Sequence, residues 1–233
     1  MSNKSSKWLA HQKWENVLFM HWPVSPEELR PHVPEELEID TFDGKAWISL
    51  LVYLSRDSSA KRLGQTFTAK PFTQINVRTY VKYSDDAGVY FFSVDADHFT
   101  AVKAAKKFVH LPYYYAEIDY KVEGETVNVS SERAEKQEAP LQFSGRYTPV
   151  SPAQRPPSNS LSYWLTARNG LWKVRSKKVY CASIEFVPWE LQEADVHIDT
   201  NQLLDYLPVN VDDDALVHYA GATNVYFYPF EKM

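Results

Sequence analysis

The sequence predicts a mainly β (α+β) fold: a closed antiparallel β-barrel with a few short helices. Three observations predict it. The 233 residues carry Tyr 15, Phe 12 and Trp 7, an aromatic share of 15% that packs better on pleated strands than along helices. The apolar segments are short and punctuated by turn residues on both sides of the chain's midpoint. A sheet of many short strands must hide its edges, and closure removes them. A chain of this size buries roughly 70% of its unfolded surface, so one domain over 1–233 is expected, enclosing a cavity of small-molecule size.

The elements follow in order. Ser25 and Pro26 open a short helix over 25–29, with Ser25 as cap, Pro26 at the first helical position and Glu28 completing a capping box. Pro31 and Pro34 stop its growth. Residues 39–42 lead into Asp43-Gly44, the turn pair of a two-residue hairpin, and 46–54 continue as a largely apolar strand. The segment 74–83 alternates most clearly. Ile75, Val77, Thr79 and Val81 point one way, and Gln74, Asn76, Arg78, Tyr80 and Lys82 the other. Ser84 to Gly88 turns it into a second strand over 89–96. Residues 101–108 favour helix, with Ala101, Ala104, Ala105 and Phe108 as an apolar stripe opposite Lys103, Lys106 and Lys107. Strands over 113–122 and 126–133 flank Glu123-Gly124-Glu125. Residues 149–159 are a Pro- and Ser-rich loop, 160–167 a short helix, 171–173 and 179–187 strands, 200–207 a weak helix, and 222–230 a final aromatic strand.

Composition removes several functions. A net charge of −5 and a pI near 5.8 give no field that would gather nucleic acid, and the basic runs Lys106-Lys107 and Arg175 to Lys178 are short. No apolar run approaches the ~18 residues of a membrane span, and residues 1–13 show no leader signal. A cytoplasmic location is expected. Cys181, the single cysteine, sits in an apolar run as a small hydrophobe. The seven histidines (11, 21, 32, 98, 110, 197 and 218) show no ligand spacing, and the acidic run 212–214 lacks the alternation of a calcium loop. Phosphate-binding glycine loops and a nucleophile elbow are absent. The expectation is no metal and no cofactor, with the oligomeric state left open.

Two features point to a binding site. One is the polar row on 74–82, read either as a solvated outer face or as a lined interior wall. The other is Tyr113-Tyr114-Tyr115 after Leu111-Pro112. Alternation sends Tyr113 and Tyr115 to one side and Tyr114 to the other, and an inward hydroxyl needs a partner.

Several segments together carry a resemblance: Gln74-Ile75-Asn76-Val77-Arg78-Thr79-Tyr80-Val81, Gly88 to Ala96, Leu111 to Ala116, His21-Trp22-Pro23, Asp43 to Trp47, Leu161 to Arg168 and Pro188-Trp189-Glu190-Leu191. In this order, over about nine-tenths of the chain, they resemble the YqjF-like family of uncharacterised bacterial proteins. That family is similar in fold to acetoacetate decarboxylase, which implies a cone-like barrel around a central cavity. Such decarboxylases form a Schiff base through a lysine that follows an aromatic-Pro pair, with a neighbouring cation lowering the pKa of its amine. Here Tyr113-Tyr114 follow Leu111-Pro112, and a phenol forms no imine. Where those enzymes carry a glutamate near the cavity, this chain has Gln74.

The expected function is therefore binding of a small molecule, a carboxylate or other oxyanion, without a Schiff-base lysine. Arg78 would supply a charge-assisted contact, Tyr80, Tyr113 and Tyr114 hydroxyl donors, and Asn76 and Gln74 orientation. The alternative is a lyase or isomerase acting on a carbonyl compound, with Tyr113 or Tyr114 as general acid and Arg78 stabilising an enolate.

Overall fold

The computed structural model describes residues 8–62, 64–133, 140–211 and 214–233. Residues 1–7 of the amino-terminal segment, and Asp212 and Asp213 of the acidic run, lie outside them. The strands are β1 (Ala10–Val24), β2 (Glu38–Ile39), β3 (Ala46–Arg62), β4 (Gln65–Thr68), β5 (Phe72–Tyr83), β6 (Asp86–Ala96), β7 (Tyr113–Glu123), β8 (Thr126–Arg133), β9 (Gln142–Pro149), β10 (Gly170–Arg175), β11 (Lys178–Phe186), β12 (Ala194–Asn201), β13 (Leu216–Ala220), β14 (Thr223–Phe227) and β15 (Glu231–Lys232). Three short α-helices interrupt them: α1 (Pro26–Leu29), α2 (Phe99–Ala104) and α3 (Leu161–Thr166).

Local chemistry explains most of these. Ser25 caps α1 by accepting from the Glu27 and Glu28 amides, but the predicted capping box is built differently. The Ser25 hydroxyl donates to Glu27 Oε2 at 2.6 Å, while Glu28 accepts from Asn210 Nδ2 at 2.8 Å. Asp43 and Gly44 both take positive φ, as a two-residue hairpin turn requires. Only the Phe42–Lys45 bridge forms across it, however, because Glu38 and Ile39 pair with β5 instead. Ser160 caps α3 through the Tyr163 amide. The weak helix expected over 200–207 is not formed. β12 runs to Asn201, and successive tight turns then drop Leu203, Leu204 and Leu207 into the core.

Pairing runs β6–β10–β11–β14–β1–β3–β5 and returns to β6, so seven strands close into a ring. From β6 the sheet continues through β7, β8, β9 and β12 as an antiparallel layer. The expectation of a wholly antiparallel sheet is corrected at two joints, since β6 runs parallel to both β7 and β10. Parallel neighbours need a crossover connection. The chain supplies one through α2 for β7, and a longer excursion precedes β10.

Two apolar clusters divide the faces. One takes residues from every ring strand: Phe19 of β1, Leu51 and Tyr53 of β3, Tyr80 of β5, Val89 of β6, Leu171 of β10, Ala182 of β11 and Val225 of β14. This is the inner face. The other joins the outward residues Leu18, Leu50, Ile75 and Val77 to Val127, Val129, Phe143 and Tyr147 of the β8–β9 layer.

Candidate functional site

Alternation along β5 puts Gln74, Asn76, Arg78 and Tyr80 on the inner face, all buried. Register aligns them with β3: Tyr53 lies opposite Gln74, Leu51 opposite Asn76 and Ser49 opposite Arg78. β1 continues the same level, with His21 opposite Ser49. A bulge in β6 between the Val77 and Arg78 pairings shifts its phase by one residue. Val89 and Phe91 thereby join the inner cluster, and Tyr90 and Phe92 the outer one. A bulge that re-aims side chains beside a polar cluster is a recurrent feature of binding sites.

Arg78, Arg133 and Arg168 are equally buried, at 7%, 6% and 7% exposure. Two have carboxylates. Arg168 meets Asp40 at 2.7 Å and stacks on Trp164, and Arg133 meets Asp95 at 2.8 Å. Arg78 has none among the described residues. Its only hydrogen bond there is a long one, from Nη2 to the Leu165 carbonyl at 3.5 Å, and its Nε–H has no partner. A buried charge without a counter-ion is strongly disfavoured unless something neutralises it. Both amide atoms of Asn76, one strand level away, also lack well-formed hydrogen bonds among the described residues. The Asn76 side chain lies close enough to the Tyr53 phenol to offset part of the rise that burial gives its pKa.

His21 closes the level. Its Nδ1 lies 2.6 Å from Ser49 Oγ and 3.3 Å from the Tyr80 hydroxyl, and those two oxygens are themselves 2.6 Å apart. Burial, then the neighbouring His218 and Arg78, hold the imidazole well below its usual pKa. His218 packs edge-on at 5.5 Å, and burial lowers it to about 4. Both rings are neutral at pH 7. His218 Nε2 contacts Ser162 Oγ at 2.9 Å, while His218 Nδ1 and His21 Nε2 are buried without partners among the described residues.

At the other end of the row, the Tyr113 hydroxyl donates to Gln74 Oε1 at 3.2 Å, and burial pushes its phenol up to about 12. The structure separates Tyr114 from this group. Parallel pairing sets Tyr114 beside Asp95 and under the Arg133 guanidinium, 4.0 Å from ring to Cζ, on the outer face. Tyr115 packs with Phe99. Of the six residues singled out in the sequence, five therefore share the inner face and Tyr114 does not.

His21, Ser49 and His218 were not legible as site residues. His21 interrupts the apolar run Val17 to Trp22 and stands in the segment His21-Trp22-Pro23 that carries part of the resemblance, but neither signal marks it as a site residue. Among the described residues, no group of three or more His, Cys, Asp or Glu gathers as a metal site.

This architecture is the acetoacetate decarboxylase-like fold. A structure of acetoacetate decarboxylase superposes with a TM-score of 0.65 at 13% identity, covering 100% of this chain and 93% of that one. The Legionella pneumophila acetoacetate decarboxylase gives 0.61 at 9% identity, covering 96% and 86%. The enduracididine biosynthesis enzyme MppR complexed with pyruvate gives 0.62 at 10%, covering 97% and 91%. Residues 11–224 match the DUF2071 family, described as an uncharacterized conserved protein, and the chain belongs to that family. It is 40% identical over 226 residues to the uncharacterized protein YqjF of Bacillus subtilis (strain 168), covering 97% of this chain and 93% of that one.

Proposed function

We propose that the closed ring is a barrel holding a small organic monoanion, a carboxylate, against Arg78. The buried guanidinium, without a carboxylate among the described residues, is the observation that carries this reading. A carboxylate on Arg78 would supply the counter-ion that Asp40 and Asp95 give the other two buried arginines. Asn76 offers the ligand a donor and an acceptor, Gln74 and Tyr113 brace one end, and Tyr80 the other. Tyr113, which follows Leu111-Pro112, brings a phenol rather than an amine to Gln74, in keeping with binding that needs no Schiff base. A neighbour of the same fold has been seen complexed with pyruvate, a ligand of the chemical class proposed. Aromatic walls from Phe19, Tyr53 and Trp164 suit a small apolar body attached to the charged group.

The test is thermal unfolding with acetate, pyruvate and chloride titrated into wild-type protein and the Arg78→Met variant. The wild type should gain melting temperature with the carboxylates beyond the chloride control, as mass action requires. Arg78→Met should show no such gain. Equal stabilisation of both proteins by every carboxylate would overturn the proposal.

A further inference from the structure

We infer that His21 is a second, uncharged donor of this same site, its proton held on Nε2 by Ser49 and Tyr80. The inference rests on the anion-binding reading above and adds a residue that reading does not use.

A count of protons selects the tautomer. His21 Nδ1, Ser49 Oγ and Tyr80 OH form a closed triangle with sides of 2.6, 2.6 and 3.3 Å. Neither hydroxyl has another partner among the described residues. If Nδ1 is unprotonated, two hydroxyl protons serve three heavy atoms: Tyr80 donates to Ser49, and Ser49 donates to Nδ1. If Nδ1 carries the proton, three protons compete for two oxygens. One hydroxyl proton and the Nε2 lone pair are then both left unmet in a buried setting, whereas the first tautomer leaves Nε2–H alone unmet; each unmet buried group costs roughly 1–3 kcal/mol. The triangle therefore places the imidazole proton on Nε2.

That Nε2–H is buried and has no partner among the described residues. The Arg78 Nε–H is in the same condition. Register places the two residues on one level, His21 opposite Ser49 and Ser49 opposite Arg78. Two orphan donors on neighbouring residues of one level would both be answered by a single acceptor-bearing ligand. Arg78 meets its charge, and His21 a second oxygen. Ser49 and Tyr80 act as positioning residues: they fix which imidazole nitrogen donates.

The test uses the full-length protein with histidine labelled by ¹⁵N, with His21 signals assigned against the His21→Gln spectrum. The expected result is a protonated Nε2, an unprotonated Nδ1, and a shift of the Nε2 signal as acetate is added. His21→Leu should weaken acetate binding about tenfold, the scale of one hydrogen bond. His21→Gln, whose amide can place a donor where Nε2–H stands, should retain most of it. A proton on Nδ1, or an Nε2 signal unmoved while Arg78-dependent acetate binding is observed, overturns the role of His21 alone. Absence of acetate binding to the wild type, or binding that survives Arg78→Met, overturns the anion site and His21's part in it together. Because the tautomer is read in the wild type, the test stands even where His21→Leu fails to fold.

Discussion

A guanidinium buried without a carboxylate is a standing electrostatic penalty, and its sign can be measured. Removing one partner of a buried ion pair leaves the other charge uncompensated, at a cost of about 3–5 kcal/mol. Arg168→Met would strand Asp40 in this way and should lower the urea midpoint accordingly. Arg78→Met strands nothing, since no described carboxylate faces Arg78. It replaces an unmatched charge by an apolar chain of similar length among Leu165, Phe91 and Tyr80. In ligand-free buffer it should therefore unfold at the same urea concentration as wild type, or a higher one. A loss at Arg78 as large as that at Arg168 would mean that the guanidinium has a stabilising partner within the fold. A residue that weakens the empty protein from an enclosed position is the kind a bound ligand accounts for.

At the scale of elements, the joint between β6 and β10 is the one most sensitive to a single atom. Gly88 and Gly170 lie side by side there, and a Cβ on Gly88 would come within 2.4 Å of the Gly170 carbonyl and 2.6 Å of the Trp172 indole. Backbone cannot yield as a flexible side chain would. Gly88→Ala should therefore destabilise by at least the 1–3 kcal/mol typical of overpacking, read as a lower urea midpoint. Gly221→Ala, with nothing within 4 Å, is the matched control and should be near neutral. The elements also differ in how far the sequence reveals them. β5 was legible because one of its faces is polar and the other apolar, so a period of two survives in the letters. β1 was not, because Val17 to Trp22 is covered on both faces and no period remains. That concealed His21 along with the strand that carries it. Alternation did separate Tyr114 from Tyr113 and Tyr115. Only the parallel pairing of β7 with β6 shows which side is inward. The expected helix over 200–207 failed because leucine spacing alone cannot tell a helix face from turns that deliver the same side chains to a core.

For the molecule as a whole, closure is uneven. β1 and β3 pair from Ala10↔Ala60 to Val24↔Ala46, whereas β6 and β10 are joined only by Leu171↔Val89 and Trp172↔Tyr90. Opening a short ladder breaks fewer bonds, so local unfolding should begin there. Native-state amide exchange should find the seam amides around Val89 and Leu171 less protected than those of Leu50 to Val52. Equal protection at both places would contradict it. Past Tyr90 the same edge of β6 is taken up again only at Val94, by β7. Across this fork, Lys173 Nζ donates to the Val109 carbonyl and sits 3.7 Å over the Phe230 ring. The wall divides at this place, and the Lys173 ammonium ties its two branches together, so loosening that tie would part β7 from β10 while leaving the long ladders of β1, β3 and β5 undisturbed.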